Sequence, residues 1–329
     1  MRYLTSSLLL FFGLVTSASA IEIQWPTSMD TSVVQCLEDY VQPVGTGKIE
    51  SGCFGMVRED GQRFHEGVDI RAYQVLRNGE PADYIYAAMS GKVAYINNKT
   101  NGPYGRYIIL VHDNAEIGLY SLYAHLAKID STLRVGDNVP RGKAIAIMGH
   151  SSSPDSPIPV ERAHLHFEVG LRLADSFNAW YKSRFNYKRD PNPHGLWNGQ
   201  NLTGFDPTYL LGKGNVNTLE VVKNLPTALA VTIRTPLAPD FVSRYPGLVQ
   251  GNPKTAEGWY VEFAWHGLPK LWVALPAGSP QIPRKTFEIV GVNQQYRSRL
   301  IARKMLTSNG LNAGENLVQN LEILLSNSR

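Results

Sequence analysis

Cysteine is almost absent from this chain: two residues, Cys36 and Cys53, in 329. That excludes a metal site built from three or four thiolates, so any bound transition metal must be held by histidine and carboxylate. Charge of one sign is also lacking. Lysine and arginine total 32 against 28 acidic residues, a formal net charge of +4, and the basic residues form no run and no basic helix. The electrostatic footprint of a nucleic-acid binder is therefore missing, and no nucleic-acid partner is expected. The mild basic excess suits an anionic polymer as partner without requiring one. Beyond the N-terminus no apolar stretch approaches the roughly 20 residues that a bilayer span needs. Internal repeats and low-complexity segments are absent too.

What is present begins at the N-terminus. Met1-Arg2 precedes an apolar run centred on Leu8-Leu9-Leu10-Phe11-Phe12, which ends at Ala18-Ser19-Ala20. This reads as a secretory signal peptide over 1–20, cut after Ala20. The expected location is exported, in the periplasm or the extracellular cell-wall space, with no stable membrane span after cleavage. An oxidising compartment permits a Cys36–Cys53 disulfide, worth roughly 3 kcal/mol for a loop of that size; two buried thiols are the alternative.

The remaining chain is long enough for two domains. Residues 21–60 hold proline, glycine and both cysteines with little periodicity, and read as an irregular lead-in expected to limit access to the domain behind it. From about Phe64 to Leu171 short strand-like runs alternate with glycine. Examples are Tyr84–Ala88, Lys92–Ile96, Arg106–Val111, Leu119–Leu126, Ala144–Met148 and Leu165–Val169. That pattern indicates an all-β sandwich or barrel. Residues 172–203 break the rhythm with Trp180, Tyr181, Phe185, Tyr187 and Trp197, and read as an insertion with one short helix. A linker near Gly212-Lys213-Gly214 leads to residues 213–329, an additional C-terminal α+β domain. Its strand-like runs are Ala228–Thr235, Trp259–Trp265 and Leu271–Leu275. Two amphipathic helices follow, with Leu317, Leu321, Leu324 and Leu325 on one face.

The chemistry lies in the histidines. Of only eight, three sit in His65-Glu66-Gly67-Val68-Asp69 and His164-Leu165-His166, and His125 lies between them in Tyr123-Ala124-His125-Leu126. In a strand, residues i and i+2 face the same way, roughly 6.6–7 Å apart. One imidazole of His164-x-His166 can therefore bind a metal while the other stands beside it. Leu165 and Phe167 then point into a core. Gly67, Val68 and Ile70 disfavour a helix over the first motif, and a straight strand would hold His65 and Asp69 roughly 13 Å apart. The chain must bend between them, and Gly67 is the residue suited to bending.

These motifs stand in a recognisable order. Phe64–Ile70, Ile85–Val93, Leu122–Leu126, Val135–Gly142 and His164–Val169 resemble the corresponding series in the LytM/lysostaphin-type zinc metallopeptidases, exported endopeptidases of bacterial peptidoglycan. The resemblance covers roughly residues 60–208, within a candidate peptidase domain of residues 61–211. It implies a compact antiparallel β-sandwich with a groove over the metal, Zn2+ held by His65, Asp69 and His166, and His125 and His164 flanking the zinc-bound water. His125 would be the general base and His164 the stabiliser of the oxyanion. It also implies peptidoglycan peptide stems or crosslinks as substrate. The alternative is a non-enzymatic module of the same type that binds wall or activates an amidase; inactive relatives lose metal ligands, and this chain keeps all three.

Two features depart from the family. The loop from Gly149 to Ala163 is longer, with Ala163 in place of the usual proline, and residues 172–203 separate the last strand from Asp206-Pro207. Both border the groove and bear on specificity. The remaining histidines read as structural or exposed (His112), as part of the groove loop (His150) and as surface residues (His194, His266). Glu168 is either a partner to a ligand histidine or a satisfied carboxylate at a strand edge.

Overall fold

The computed structural model describes residues 20–45, 47–58, 63–113 and 116–328. The signal-peptide reading of residues 1–20 lies outside these, Ala20 excepted. Among the described residues no helix is long and apolar enough to cross a membrane.

The fold is mainly β and antiparallel. Its central strand is His164–Arg172, whose odd positions Leu165, Phe167, Val169 and Leu171 are fully buried. They face a core shared with Ile85 and Ile145 of a smaller sheet made of Tyr84–Tyr86, Ala144–Ile147 and Lys128–Ile129. This is a two-layer sandwich, one of the two all-β forms that the short, glycine-punctuated runs indicate. On one side the central strand pairs with Leu119–Ala124, then in order come Tyr107–His112, Gly91–Asn97 and Asn138–Val139. On its other side two strands lie end to end. Val68–Arg71 pairs with residues 164–167, and Leu202–Phe205 with residues 169–172.

The described residues of 21–58 form short 3-10 turns and the two short strands Ile21–Glu22 and Val57–Arg58. They nonetheless extend the sheet. Val41 bridges Ile70, and the amide of Gln42 donates to the Asp69 carbonyl while the amide of Arg71 donates to that of Tyr40, each at 2.8 Å. No disulfide joins the two cysteines. Exposed Cys36 and half-buried Cys53 are free thiols, and each is engaged locally, Cys36 Sγ with Asp39 and Cys53 Sγ with the Ile49 carbonyl.

The insertion contains one α-helix, Phe177–Arg184, buried through Phe177, Trp180 and Tyr181. Beyond it a five-stranded sheet runs Val249–Gln250, Pro269–Pro276, Ala256–Phe263, Leu229–Arg234, Phe287–Val292. The last of these strands had no counterpart among the expected runs. Helices Arg297–Ala302 and Glu315–Leu324 follow, with Leu317, Leu321 and Leu324 buried on one face. A single hydrophobic cluster runs from Val68 and Phe167 to Trp259, Phe263 and Trp272.

Candidate active site

Asp69 and His166 are direct register partners on adjacent antiparallel strands, so their side chains emerge side by side on one face. His65 reaches the same point from the bend before the Val68–Arg71 strand. Gly67 is indeed at that bend, but for a different reason than conformational freedom. A Cβ there would lie 2.3 Å from the Phe167 carbonyl oxygen, so glycine lets the chain pass close under the central strand. The result is three donor atoms in contact. His65 Nε2 and His166 Nδ1 each lie 3.0 Å from Asp69 Oδ1 and 3.2 Å from each other.

The hydrogen bonds behind these atoms settle the tautomers. His65 Nδ1 lies 2.7 Å from the Cys53 carbonyl, which can only accept, so that nitrogen carries the proton and Nε2 presents a lone pair. His166 Nε2 donates to Glu168 Oε1 at 2.9 Å, so its Nδ1 presents the other. Two imidazole lone pairs and a carboxylate oxygen cannot bond to one another without a cation or a proton between them. Donor separations of 3.0–3.2 Å also come near the roughly 3.3 Å edge of a tetrahedral sphere with bonds of about 2.0 Å. The residues therefore fit a zinc ion. Burial pulls His166 down, but Asp69 and Glu168 outweigh it and push the imidazole up to about 10. For Asp69, burial acts upward, yet His65 and His164 hold the carboxyl well below the usual range.

His125 and His164 stand beside this trio. Their rings are 4.7 Å apart, and His125 lies 5.9 Å from His166. The Leu119–Ala124 strand ends just before His125, short of the expected Leu126, because His125 adopts a left-handed backbone with φ of 61°. His125 Nδ1 donates to the Ser151 carbonyl at 2.8 Å, and His164 Nδ1 to that of Arg162 at 2.7 Å. Both rings thus turn an unprotonated Nε2 inward. Burial and the neighbouring imidazoles His164 and His166 hold His125 well below its ordinary value. Burial also lowers His164, against Asp69, whose Oδ1 is 3.5 Å from its Nε2.

Glu168 is the hydrogen-bond partner of His166. It is fully buried and accepts from three donors: His166 Nε2, the Tyr104 hydroxyl at 2.6 Å and the Tyr120 hydroxyl at 2.9 Å. Burial favours its neutral form, but these donors hold it ionised. The two tyrosines were not singled out in the sequence. Tyr120 was findable, since it is across from Gly170 on the histidine face; Tyr104 comes from a loop with no periodic signal.

His112 is structural, one of its two sequence readings, buried between the Ser90 carbonyl and the Ser121 hydroxyl. His194 is half-buried and accepts from the Tyr107 hydroxyl at 2.9 Å where the insertion folds over the sheet. His266 is buried as well, packed edge-on against Phe54. Half-exposed His150 bonds the Ile158 carbonyl within the long loop.

The sequence model of Peptidase family M23 matches residues 63–178, the segment that holds all five site residues. Over that segment the chain is similar to that family. A curated relative, the uncharacterized lipoprotein YgeR of Escherichia coli, is 34% identical over 110 residues, which are 33% of this chain and 35% of that protein. The chain thus spans about a third of that relative's length. Among solved structures, the catalytic domain of the antimicrobial peptidase lysostaphin from Staphylococcus simulans is 24% identical, with a TM-score of 0.27, over 41% of this chain and 82% of that one. A zinc-containing peptidase from Vibrio cholerae is 25% identical, with a TM-score of 0.30, over 46% and 37%.

Proposed function

We propose that this protein is an exported zinc metalloendopeptidase that hydrolyses peptide crosslinks of bacterial peptidoglycan. One observation carries the reading: two imidazole lone pairs and the Asp69 carboxylate converge on one point, with two further unprotonated imidazole nitrogens beside it. His65, Asp69 and His166 would hold the metal. Bound there, zinc would supply an acidified water and a Lewis acid for the scissile carbonyl.

The protein's own groups supply the proton traffic. His125 is the general base. Its Nδ1 proton is committed to the Ser151 carbonyl, so only Nε2 can accept, and burial keeps it neutral and ready. His164 is the group better able to carry positive charge, because Asp69 faces its Nε2. Protonated, it donates to the oxyanion that forms as the peptide carbonyl is attacked. The carbonyls of Ser151 and Arg162 fix both rings, so the long loop at 150–163 orients the catalytic pair. The M23-type domain, the signal-like N-terminus and the mild basic excess support peptidoglycan as substrate and an exported location.

The test is a muropeptide digest. Purified protein with one equivalent of zinc should release new amino termini from peptidoglycan crosslinks, and a chelator should stop it. A protein that binds zinc, cuts nothing and stimulates a wall amidase would be the non-enzymatic module instead.

A further inference from the structure

We infer that the C-terminal sheet is a positioning element of the peptidase site: Trp265 and Arg303 clamp Phe64, and so hold the adjacent His65 in place. This rests on the metal-site reading proposed for His65, Asp69 and His166.

Asp69 and His166 are carried by the large sheet, but His65 is not. It follows a two-stranded ribbon, Val57–Arg58 paired with Arg63–Phe64. Its amide donates to the Met56 carbonyl and its carbonyl accepts from Gly55, both at 2.9 Å. A ribbon of this kind is marginal by itself, so a ligand that depends on it needs outside support.

That support comes from the far end of the chain. Trp265 and His266 occupy the turn between the two long strands Ala256–Phe263 and Pro269–Pro276. Phe64 lies 5.7 Å from Trp265 and 5.4 Å from Phe54, and Phe54 meets His266 edge-on at 5.1 Å. Arg303, just past the Arg297–Ala302 helix, sets its guanidinium 4.5 Å over the Phe64 ring. Gly55 confirms the close fit. It has φ of +91°, and a Cβ there would sit 2.9 Å from Trp265 Cζ2. Aromatic pairs and a desolvated guanidinium over a ring are directional contacts; they fix a position as well as bury area. Trp265 is half-buried and packs against the edge of the core.

The experiment uses the full chain with W265A, R303A and W265F, plus L321A as a control that weakens the C-terminal core away from the ribbon. In metal-free protein, W265A and R303A should speed hydrogen exchange of the Gly55 and His65 amides at least tenfold. The amides of the Tyr107–His112 strand should stay protected. Zinc affinity, from competition with a chromophoric chelator, should fall at least tenfold, and W265F should restore most of both. L321A should lower the melting temperature and do neither. Unchanged exchange at Gly55 and His65 in W265A and R303A overturns the inference, as does an equal effect from L321A. A wild-type chain that binds no zinc would sink the metal reading, while the exchange data would still decide this one.

Discussion

His166 and Glu168 are two residues apart on one strand, and the histidine donates from Nε2 to the buried carboxylate at 2.9 Å. That single bond selects Nδ1 as the nitrogen that faces Asp69 and His65. It also makes the imidazole a stronger donor to a cation.

Glu168→Gln should therefore weaken zinc binding by about 10–100-fold with the fold retained. The amide lacks the charge, and with one acceptor oxygen it cannot serve His166 and both tyrosine hydroxyls as the carboxylate does. Chelator competition measures the effect. Zinc binding as tight as wild type would show that the carboxylate has no influence on the metal.

His125→Gln should separate chemistry from metal binding. Loss of the general base should lower kcat by about 10²–10⁴-fold, while the zinc content stays at one per chain. If zinc is lost together with activity, His125 is a ligand and the assignment of the three donor atoms is wrong.

Buried neutral histidines should make the protein acid-sensitive. Burial pulls His112 down to about 4, against the Ser90 carbonyl. Its folded value lies below the unfolded 6.5, so the folded form is favoured in full above pH 6.5 and loses that advantage as pH falls toward 4. The loss is on the order of 3 kcal/mol for this residue. His266, lowered to about 3 by burial and then by Arg303, adds to it in the same direction. Denaturant unfolding at pH 7, 5.5 and 4.5 reads the slope, and His112→Gln should flatten it. A variant with the wild-type slope would remove His112 from the account.

Deleting residues 21–57 should damage the site, contrary to the idea that the lead-in merely screens it. The deletion removes the Cys53 carbonyl behind His65, the Met56 carbonyl that holds the His65 amide, and the pairing of residues 40–42 with the Asp69 strand. Each backbone bond is worth roughly 1 kcal/mol net. The truncated chain should melt earlier and hold zinc less tightly. Tighter zinc binding with faster cleavage would mean that the lead-in is an inhibitor.

Much of the site was legible because strand geometry is local. The alternation in His164–Arg172 placed Leu165 and Phe167 in the core and both histidines on one face, and the structure has them so. The need for a bend at Gly67 was legible as well, from the distance that an extended chain would put between His65 and Asp69. The close approach to the Phe167 carbonyl was not, since the neighbour lies a hundred positions away in the chain.

The sequence by itself determined the succession of short strands and the bend between His65 and Asp69, because periodicity and reach act over a few residues; the five candidate site residues came from the resemblance of its motifs to a known family. Tertiary structure alone decided which nitrogen of each imidazole faces inward. The atoms responsible are the carbonyls of Cys53, Ser151 and Arg162 and the Glu168 carboxylate, and a backbone carbonyl leaves no trace in residue identity. It alone also brought Trp265 and Arg303 onto Phe64, about two hundred residues apart in sequence, since packing between distant segments obeys shape and not spacing.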